Sequence, residues 1–147
     1  MIIVVCLAIL GVGAFFAQRY AFDDAEGENP QLTSANDHGV HLGPGDPELR
    51  PGDRLVTKNG KYELVVDEKG AVSEIADGKV VWTTLTTDVV RFVMQDDCNL
   101  VAYAPGGKMR WSSNTAGAGS ECTLRLQESD GNLVVIAPGN IPVWQRP

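Results

Sequence analysis

Residues 95–103 read Gln-Asp-Asp-Cys-Asn-Leu-Val-Ala-Tyr, and a related stretch, Asp-Gly-Asn-Leu-Val, stands at residues 130–134. Successive side chains of a β-strand point to opposite faces, so every second residue of the first stretch would share one face. That face would carry Gln95, Asp97, Asn99, Val101 and Tyr103. Amide, carboxylate and phenol groups both donate and accept hydrogen bonds, so the row suits the hydroxyls of a small polyol.

The stretch is one copy of an internal repeat. Residues 93–111 align without a gap on residues 126–144, and residues 64–82 align on 93–111. One unit of this length cannot bury its own apolar face, whereas several together can. Each unit ends in a tryptophan at a matching position. We therefore predict that these residues form a shared core around a threefold pseudo-axis: Trp82, Trp111 and Trp144.

The residue pattern of the whole segment from residue 49 to 147 indicates β-structure. Short runs rich in Val, Leu, Thr and Tyr alternate there with Gly, Asn, Asp and Pro. Asn59-Gly60 and Asp77-Gly78 are strong two-residue hairpin signals. Because no part of the segment has a sustained helical period, we predict one all-β domain of three repeats.

The segment before this domain divides into two parts. Residues 1–17 carry no charged side chain, which predicts an apolar helix within residues 1–20, either a signal peptide or a single-pass membrane anchor. Both interpretations place the domain outside the cytoplasm, secreted or anchored, and an uncleaved helix would make the membrane a partner. Residues 21–48 contain seven acids and neither Lys nor Arg, and we predict a flexible acidic linker there.

Charge and chemistry exclude several classes of function. Residues 50–147 hold 12 acids and 11 bases, so the domain has no basic stripe for nucleic acid. His38 and His41 in the linker lack further ligand candidates, so we predict no metal and no cofactor. Asp96 and Asp97 are adjacent and would point to opposite faces, which prevents acid–base pairing. The chain is not predicted to be an enzyme.

Cys98 and Cys122 are the only cysteine pair in the domain, since Cys6 lies in the apolar N-terminal run. Export favours a disulfide between them, because exported proteins fold in oxidising compartments. The alternative is two buried thiols in a reducing compartment.

The row at residues 95–103 resembles the mannose-binding motif of the monocot bulb-type lectins, the snowdrop-lectin-like family, at all five defining positions. The resemblance extends from about Leu49 to Trp144 and includes Pro51-Gly52-Asp53-Arg54-Leu55 and Trp111-Ser112-Ser113-Asn114-Thr115. It implies a β-prism II fold of three four-stranded antiparallel sheets, one per repeat. It also implies a disulfide between Cys98 and Cys122.

The resemblance further implies a role for each residue of the row. Asp97 and Asn99 would bond the axial 2-hydroxyl of mannose, and Gln95 would bond the 3-hydroxyl. Tyr103 would bond the 4-hydroxyl, and Val101 would contact the ring carbons. The implied function is a mannose-binding lectin whose partners are mannose-containing glycans. One shallow site should bind at about the millimolar level, so useful binding needs several sites, for example in a homo-oligomer.

The other two repeats depart from the motif. The third aligns a degenerate second site, formed by Glu128, Asp130, Asn132 and Val134, with Ile136 in place of the tyrosine. The first aligns Val66, Glu68, Gly70, Val72 and Glu74, from which we predict no site. Because two of the three repeats lack the complete motif, an alternative function stays open. The protein would then be a structural subunit of a membrane-associated complex that does not bind sugar.

Overall fold

The computed structural model describes residues 37–147, and the helix, the signal or anchor and most of the linker predicted for residues 1–36 lie outside this range. The described chain contains eleven strands and one 3₁₀ turn at Pro105–Gly107. The strands are β1 (His41–Leu42), β2 (Arg54–Val56), β3 (Tyr62–Val66), β4 (Val72–Ala76), β5 (Lys79–Thr83), β6 (Arg91–Met94), β7 (Leu100–Ala104), β8 (Lys108–Ser112), β9 (Thr123–Leu126), β10 (Leu133–Ala137) and β11 (Ile141–Gln145). Within residues 37–147, no helix has the length and apolarity needed to cross a bilayer.

The strands form three antiparallel sheets, which confirms the all-β prediction. Their orders are β2-β3-β4-β5, β6-β7-β8 and β1-β9-β10-β11. The prediction of four strands in every sheet is wrong for the middle one. There, Leu49 alone bridges to Phe92, with N–O distances of 2.9 and 2.7 Å. Pro47 and Pro51 flank Leu49 and lack the backbone N–H that a longer strand would need.

The fold begins earlier than the predicted boundary at residue 49. β1 pairs with β9 at the edge of the third sheet, and Leu42 is only 1% exposed. The C-terminal part of the predicted linker, residues 37–48, is therefore part of the domain. Its low apolar content concealed a strand of only two residues, in which a single buried leucine supplies the core contact.

The core follows from strand alternation. In β3, for example, Tyr62, Leu64 and Val66 are buried while the residues between them are partly exposed. The three indole rings pack edge to face against one another, with ring centroids 5.6, 5.7 and 6.0 Å apart, and lie partly buried against this core. Each such aromatic pair adds about 0.5–1.5 kcal/mol beyond the burial of apolar area.

One carboxylate lies within the core. Glu74 is 0% exposed and is paired with Trp82 in the β4–β5 register, whereas Trp111 and Trp144 are paired with Ala102 and Val135. Arg146 places its Nε 2.7 Å from Glu74 Oε2, but the contact lacks hydrogen-bond geometry. Burial raises the pKa of Glu74 to about 7, although Arg146 acts in the opposite direction.

Candidate functional site

The five residues of the motif lie on a hairpin rather than on one strand. Gln95 directly follows β6, and Asn99 directly precedes β7. The Gln95 N–H donates to the Asn99 carbonyl at 3.0 Å, and Asp97 lies in the turn between them. The predicted single strand face is therefore wrong: Cys98 adopts a left-handed φ of 71°, which reverses the chain.

The hairpin still brings the polar side chains of the motif together. Gln95 Nε2 donates to the phenol oxygen of Tyr103 at 2.9 Å, across the buried Val101. Asp97 Oδ1 accepts the N–H of Asn99 at 3.0 Å, which also stabilises the turn. The sequence named the correct residues, although two strands and a turn position them.

Hydrogen bonds within the site determine which groups remain for a ligand. Asn99 Oδ1 lies 3.3 Å from both Ser113 Oγ and Thr115 N, so the amide nitrogen faces outward. Counting contacts within residues 37–147, the site leaves acceptor oxygens on Gln95 and Asp97 and donors on the Asn99 amide and the Tyr103 hydroxyl. Acceptors that lie beside donors suit vicinal sugar hydroxyls, each of which donates one hydrogen bond and accepts others.

Sequence reasoning missed the residues that support this arrangement. Ser113 is 8% exposed, and its hydroxyl accepts the N–H of Leu100 at 3.0 Å. Thr115 Oγ1 donates to the Cys98 carbonyl at 2.6 Å. Both residues follow β8, and the only signal for them was their place in the stretch that resembles the family. They fix the orientation of the Asn99 amide.

Arg91 was also missed. Its guanidinium carbon lies 4.3 Å from the centroid of the Tyr103 ring, and the two residues are direct partners in the β6–β7 register. The carboxylate of Glu48, a residue of the predicted linker, lies 3.4 Å from the Arg91 guanidinium and forms an ion pair with it. A cation over the ring face fixes the phenol in place. Arg91 lies outside the motif, and only its pairing with Tyr103 across the hairpin identifies it as part of the site.

The Cys98–Cys122 disulfide is present, as predicted. It connects the turn of the site to the loop that precedes β9. A second link, from the Gly117 N–H to the Asp97 carbonyl at 2.9 Å, joins the same two segments. Closing a loop of this length adds about 3 kcal/mol of stability. The disulfide therefore stabilises the site as well as the fold.

The predicted alignment of the third repeat is wrong at its turn. The Gln127 N–H donates to the Asn132 carbonyl at 2.9 Å, as the Gln95 N–H does to Asn99. Gln127 therefore occupies the position that the ungapped alignment gave to Glu128. The third turn has one residue more than the second, so the alignment needs a gap there. The third repeat therefore keeps the amide of the motif, on Gln127.

Glu128 has a different role. Its carboxylate accepts the backbone N–H of Lys58 at 3.1 and 3.2 Å, which ties this turn to the β2–β3 turn of the first repeat. The side chain is engaged between repeats and does not replace the site glutamine.

The third repeat consequently keeps four of the five motif positions. Asp130 Oδ1 accepts the Asn132 N–H at 3.0 Å, which reproduces the turn of the second repeat. Arg146 takes the place of Ser113: each donates its N–H to the carbonyl of the first residue of the matching strand. Because Arg146 has no hydroxyl, Asn132 lacks the support that Ser113 gives Asn99. The changed position within the motif is Ile136, which replaces the tyrosine.

The first repeat was also aligned one residue out of frame. The Asp67 N–H donates to the Ala71 carbonyl at 2.9 Å, so these residues match Gln95 and Asn99. Val72 is a core residue, not the counterpart of Val101. The β4–β5 turn is one residue shorter than the β7–β8 turn. An alignment that matches Trp82 with Trp111 therefore places the residues of β4 one position away from their true counterparts in β7. The positions of the motif are filled by Asp67, Lys69, Ala71, Ser73 and Ile75.

Comparison with known proteins gives the class of this fold. The snowdrop (Galanthus nivalis) mannose-specific agglutinin, solved in complex with methyl-α-D-mannoside, matches with a TM-score of 0.59 and 30% identity, over 67% of this chain and 89% of that one. The three-sheet architecture is the β-prism II lectin fold. No protein-family model matches the chain.

Sequence relatives give the family. B-type lectin plumieribetin of Scorpaena plumieri is 40% identical over 91 residues, 60% of this chain and 79% of that protein. The mannose-specific lectin of Aloe arborescens is 50% identical over 54 residues, 37% of this chain and 48% of that protein. The match thus spans less than half of the Aloe lectin. The chain belongs to the bulb-type lectin family, whose members are non-enzymatic carbohydrate-binding proteins.

Proposed function

We propose that this protein is a mannose-binding lectin whose main site is formed by Gln95, Asp97, Asn99 and Tyr103 over Val101. The supporting observation is the hydrogen-bond network that leaves both donors and acceptors free on one hairpin surface. The mannose specificity of the Aloe lectin and the mannoside complex of the snowdrop agglutinin support the choice of sugar.

Selectivity would come from the axial 2-hydroxyl of mannose. Asp97 supplies an acceptor and Asn99 a donor at adjacent points of the hairpin. When the 2-hydroxyl is equatorial, as in glucose, these groups lose a partner, and unpaired polar groups cost binding energy. With about 1 kcal/mol per net hydrogen bond, one site would have a Kd of about 1 mM. Glycan recognition would then depend on several sites acting together.

We also propose that the lectin domain is outside the cytoplasm, either secreted or held at a membrane by the apolar N-terminal segment. The disulfide supports this proposal, because structural disulfides persist in oxidising compartments. Intact-mass measurement of the protein from its own cell would test it, and a full-length reduced protein in the cytosol would contradict it.

The third repeat is proposed as a weaker second site. Gln127, Asp130, Asn132 and Val134 retain the chemistry of the motif, but Ile136 cannot bond a hydroxyl. Loss of one hydrogen bond predicts an affinity about tenfold below that of the main site.

The test is an NMR titration of the full chain with methyl α-mannoside, which resolves amides beside each site. Shifts should saturate first around Asn99. Asp97→Ala should abolish the shifts there, and Tyr103→Phe should weaken binding about tenfold, because only the phenol hydroxyl is removed. The matched control is Asp130→Ala, the same substitution in the third repeat, which should leave the Asn99 response unchanged. Equal loss from both aspartate variants, or no response to mannoside, would contradict the proposal.

A further inference from the structure

The outer face of the third sheet carries a cation beside the motif of the third repeat. In β9, Leu124 and Leu126 are buried while Arg125 between them is exposed, so the Arg125 side chain lies on the outer face. The register pairs Arg125 with the motif residue Val134 on one side and with His41 on the other. Paired residues of antiparallel strands have Cβ atoms about 4.5–5.5 Å apart on the same face. Arg125 therefore borders the surface on which a sugar would lie.

The matching position in the second repeat is apolar. Val93 occupies it, as the register partner of Val101. The second repeat carries its arginine one pair farther from the turn, at Arg91, where the Glu48 carboxylate forms an ion pair with it. The third repeat thus differs from the second by a cation placed directly against the motif valine.

The charge of Arg125 is not matched by an acid within residues 37–147. Each of the other arginines in this range forms an ion pair with an aspartate or glutamate: Arg50, Arg54, Arg91, Arg110 and Arg146. Arg125 forms none there and is exposed. A guanidinium presents a planar fork of N–H donors, which binds the paired oxygens of a carboxylate or a phosphate.

The acids of the third repeat lie at the opposite end of its site. Glu128 and Asp130 are in the turn that follows β9, and Glu128 is bonded to the Lys58 N–H. Arg125 precedes Gln127 by two residues and is therefore about 6–7 Å farther from this turn along the strand. This separation of charges would orient a ligand, with hydroxyls toward Asp130 and an anionic group toward Arg125.

We infer that the third repeat binds a hexose that carries an anionic group, a carboxylate or a phosphate, with Arg125 holding that group while Asp130 and Asn132 bind hydroxyls. The inference rests on the proposed function, and it makes an acidic sugar the preferred ligand of the second site. Charge-assisted hydrogen bonds are shorter and stronger than neutral ones, which would offset the hydroxyl partner lost at Ile136. His41, beside Arg125 on the same face, can supply a further donor.

The test is an NMR titration of the full chain with mannose 6-phosphate and with methyl α-mannoside, followed separately at the amides beside Asn132 and Asn99. At Asn132, mannose 6-phosphate should bind about tenfold more tightly than methyl α-mannoside, the gain expected from a charge-assisted contact. At Asn99 it should show no gain. Arg125→Val, which introduces the residue type of the second repeat, should remove the gain at Asn132 and leave the Asn99 response to methyl α-mannoside unchanged.

The matched control is Arg50→Val, which removes the same charge from an exposed arginine outside the third repeat and should preserve the gain. A second arm replaces the phosphate by a carboxylate at the same carbon, in methyl α-mannosiduronate. A gain with either acid supports the inference, and the acid that binds more tightly identifies the preferred group.

Inorganic phosphate alone should bind the Asn132 hairpin much more weakly than mannose 6-phosphate, because it lacks the sugar hydroxyls. Equal binding of inorganic phosphate, no gain with either acid, or a gain that survives Arg125→Val would overturn the acidic-sugar site while leaving the main site intact. Absence of methyl α-mannoside binding at Asn99 would instead overturn the proposed function.

Discussion

Replacement of Gly70 by alanine is expected to lower the free energy of unfolding by about 3 kcal/mol or more. Gly70 has a φ of +79°, and an added Cβ would lie closer than 3.0 Å to the backbone nitrogen and oxygen of Val89. The Val89 N–H donates to the Gly70 carbonyl at 3.1 Å, so this close approach joins the β3–β4 turn to the segment before β6. These are backbone atoms, which cannot rotate away as a flexible side chain could, so the methyl group has no room.

Gly60→Ala is the matched control, because it separates the backbone strain from the clash. Gly60 has a similar φ of +66°, but no atom lies within 4 Å of the position of its Cβ. This variant should lose only the left-handed strain, about 1–2 kcal/mol. Urea unfolding of both variants measures the difference. Equal destabilisation would show that the chain around Val89 yields and that the close approach is not a constraint.

Removal of Arg146 is expected to have an effect of similar size. Arg146→Met would leave the fully buried Glu74 carboxylate without its cation, and breaking a buried ion pair from one side costs about 3–5 kcal/mol. The cost should be largest at pH 8 and smaller at pH 5, where Glu74 holds a proton. Urea unfolding at the two pH values measures it.

The double variant Glu74→Val with Arg146→Met is the control for this prediction. Valine is the residue that the third repeat carries at the matching position, Val135. Replacement of a buried pair by apolar side chains is often neutral or stabilising, so the double variant should regain most of the lost stability. A double variant as unstable as Arg146→Met would show that the arginine acts through its packing rather than its charge.

The pKa of Glu74 also predicts how stability depends on pH. Burial raises this pKa from its ordinary value of 4.5 to about 7, so the folded state binds a proton that the unfolded state releases. The contribution of Glu74 to stability is therefore fully present below pH 4.5 and is lost as the pH rises through 7. The loss amounts to about 3 kcal/mol. Glu74→Gln should flatten the profile in this window; an unchanged slope would assign it to other groups.

The residues of the main site could be predicted from sequence because the motif is local. Gln95 to Tyr103 lie in one hairpin, whose strands β6 and β7 are joined by a short turn. Side chains within such a segment meet wherever the chain reverses, whether or not they were expected on one strand. Arg91 and Ser113 could not be found in this way, because their contacts with the motif depend on register across neighbouring strands.

The errors in the two other repeats have one physical cause. Turns change length at little energetic cost, since their residues face solvent, whereas the strands are held in register by backbone hydrogen bonds. An alignment without gaps therefore matched the identical residues from Asp130 onward, but it misassigned the residues before Asp130 by one position. The backbone hydrogen bonds of Gln127 and Asp67 identify the residues that correspond to Gln95, because the same hydrogen bond closes the turn of each hairpin.

The sequence by itself determined the all-β class, the three repeats, the family and the motif of the main site, since all of these depend on local alternation and on identical short stretches. Only the tertiary structure showed that Leu42 belongs to a sheet with the distant β9, that Gln127 completes four of the five motif positions in the third repeat, and that Glu74 meets Arg146 in the core. The physical reason is that Leu42 and β9, like Glu74 and Arg146, are far apart in the chain, whereas the place of Gln127 follows from the backbone hydrogen bond that defines the length of its turn. The proximity of the distant pairs depends on how strands and sheets from different parts of the chain come together, and that arrangement leaves no pattern along the sequence.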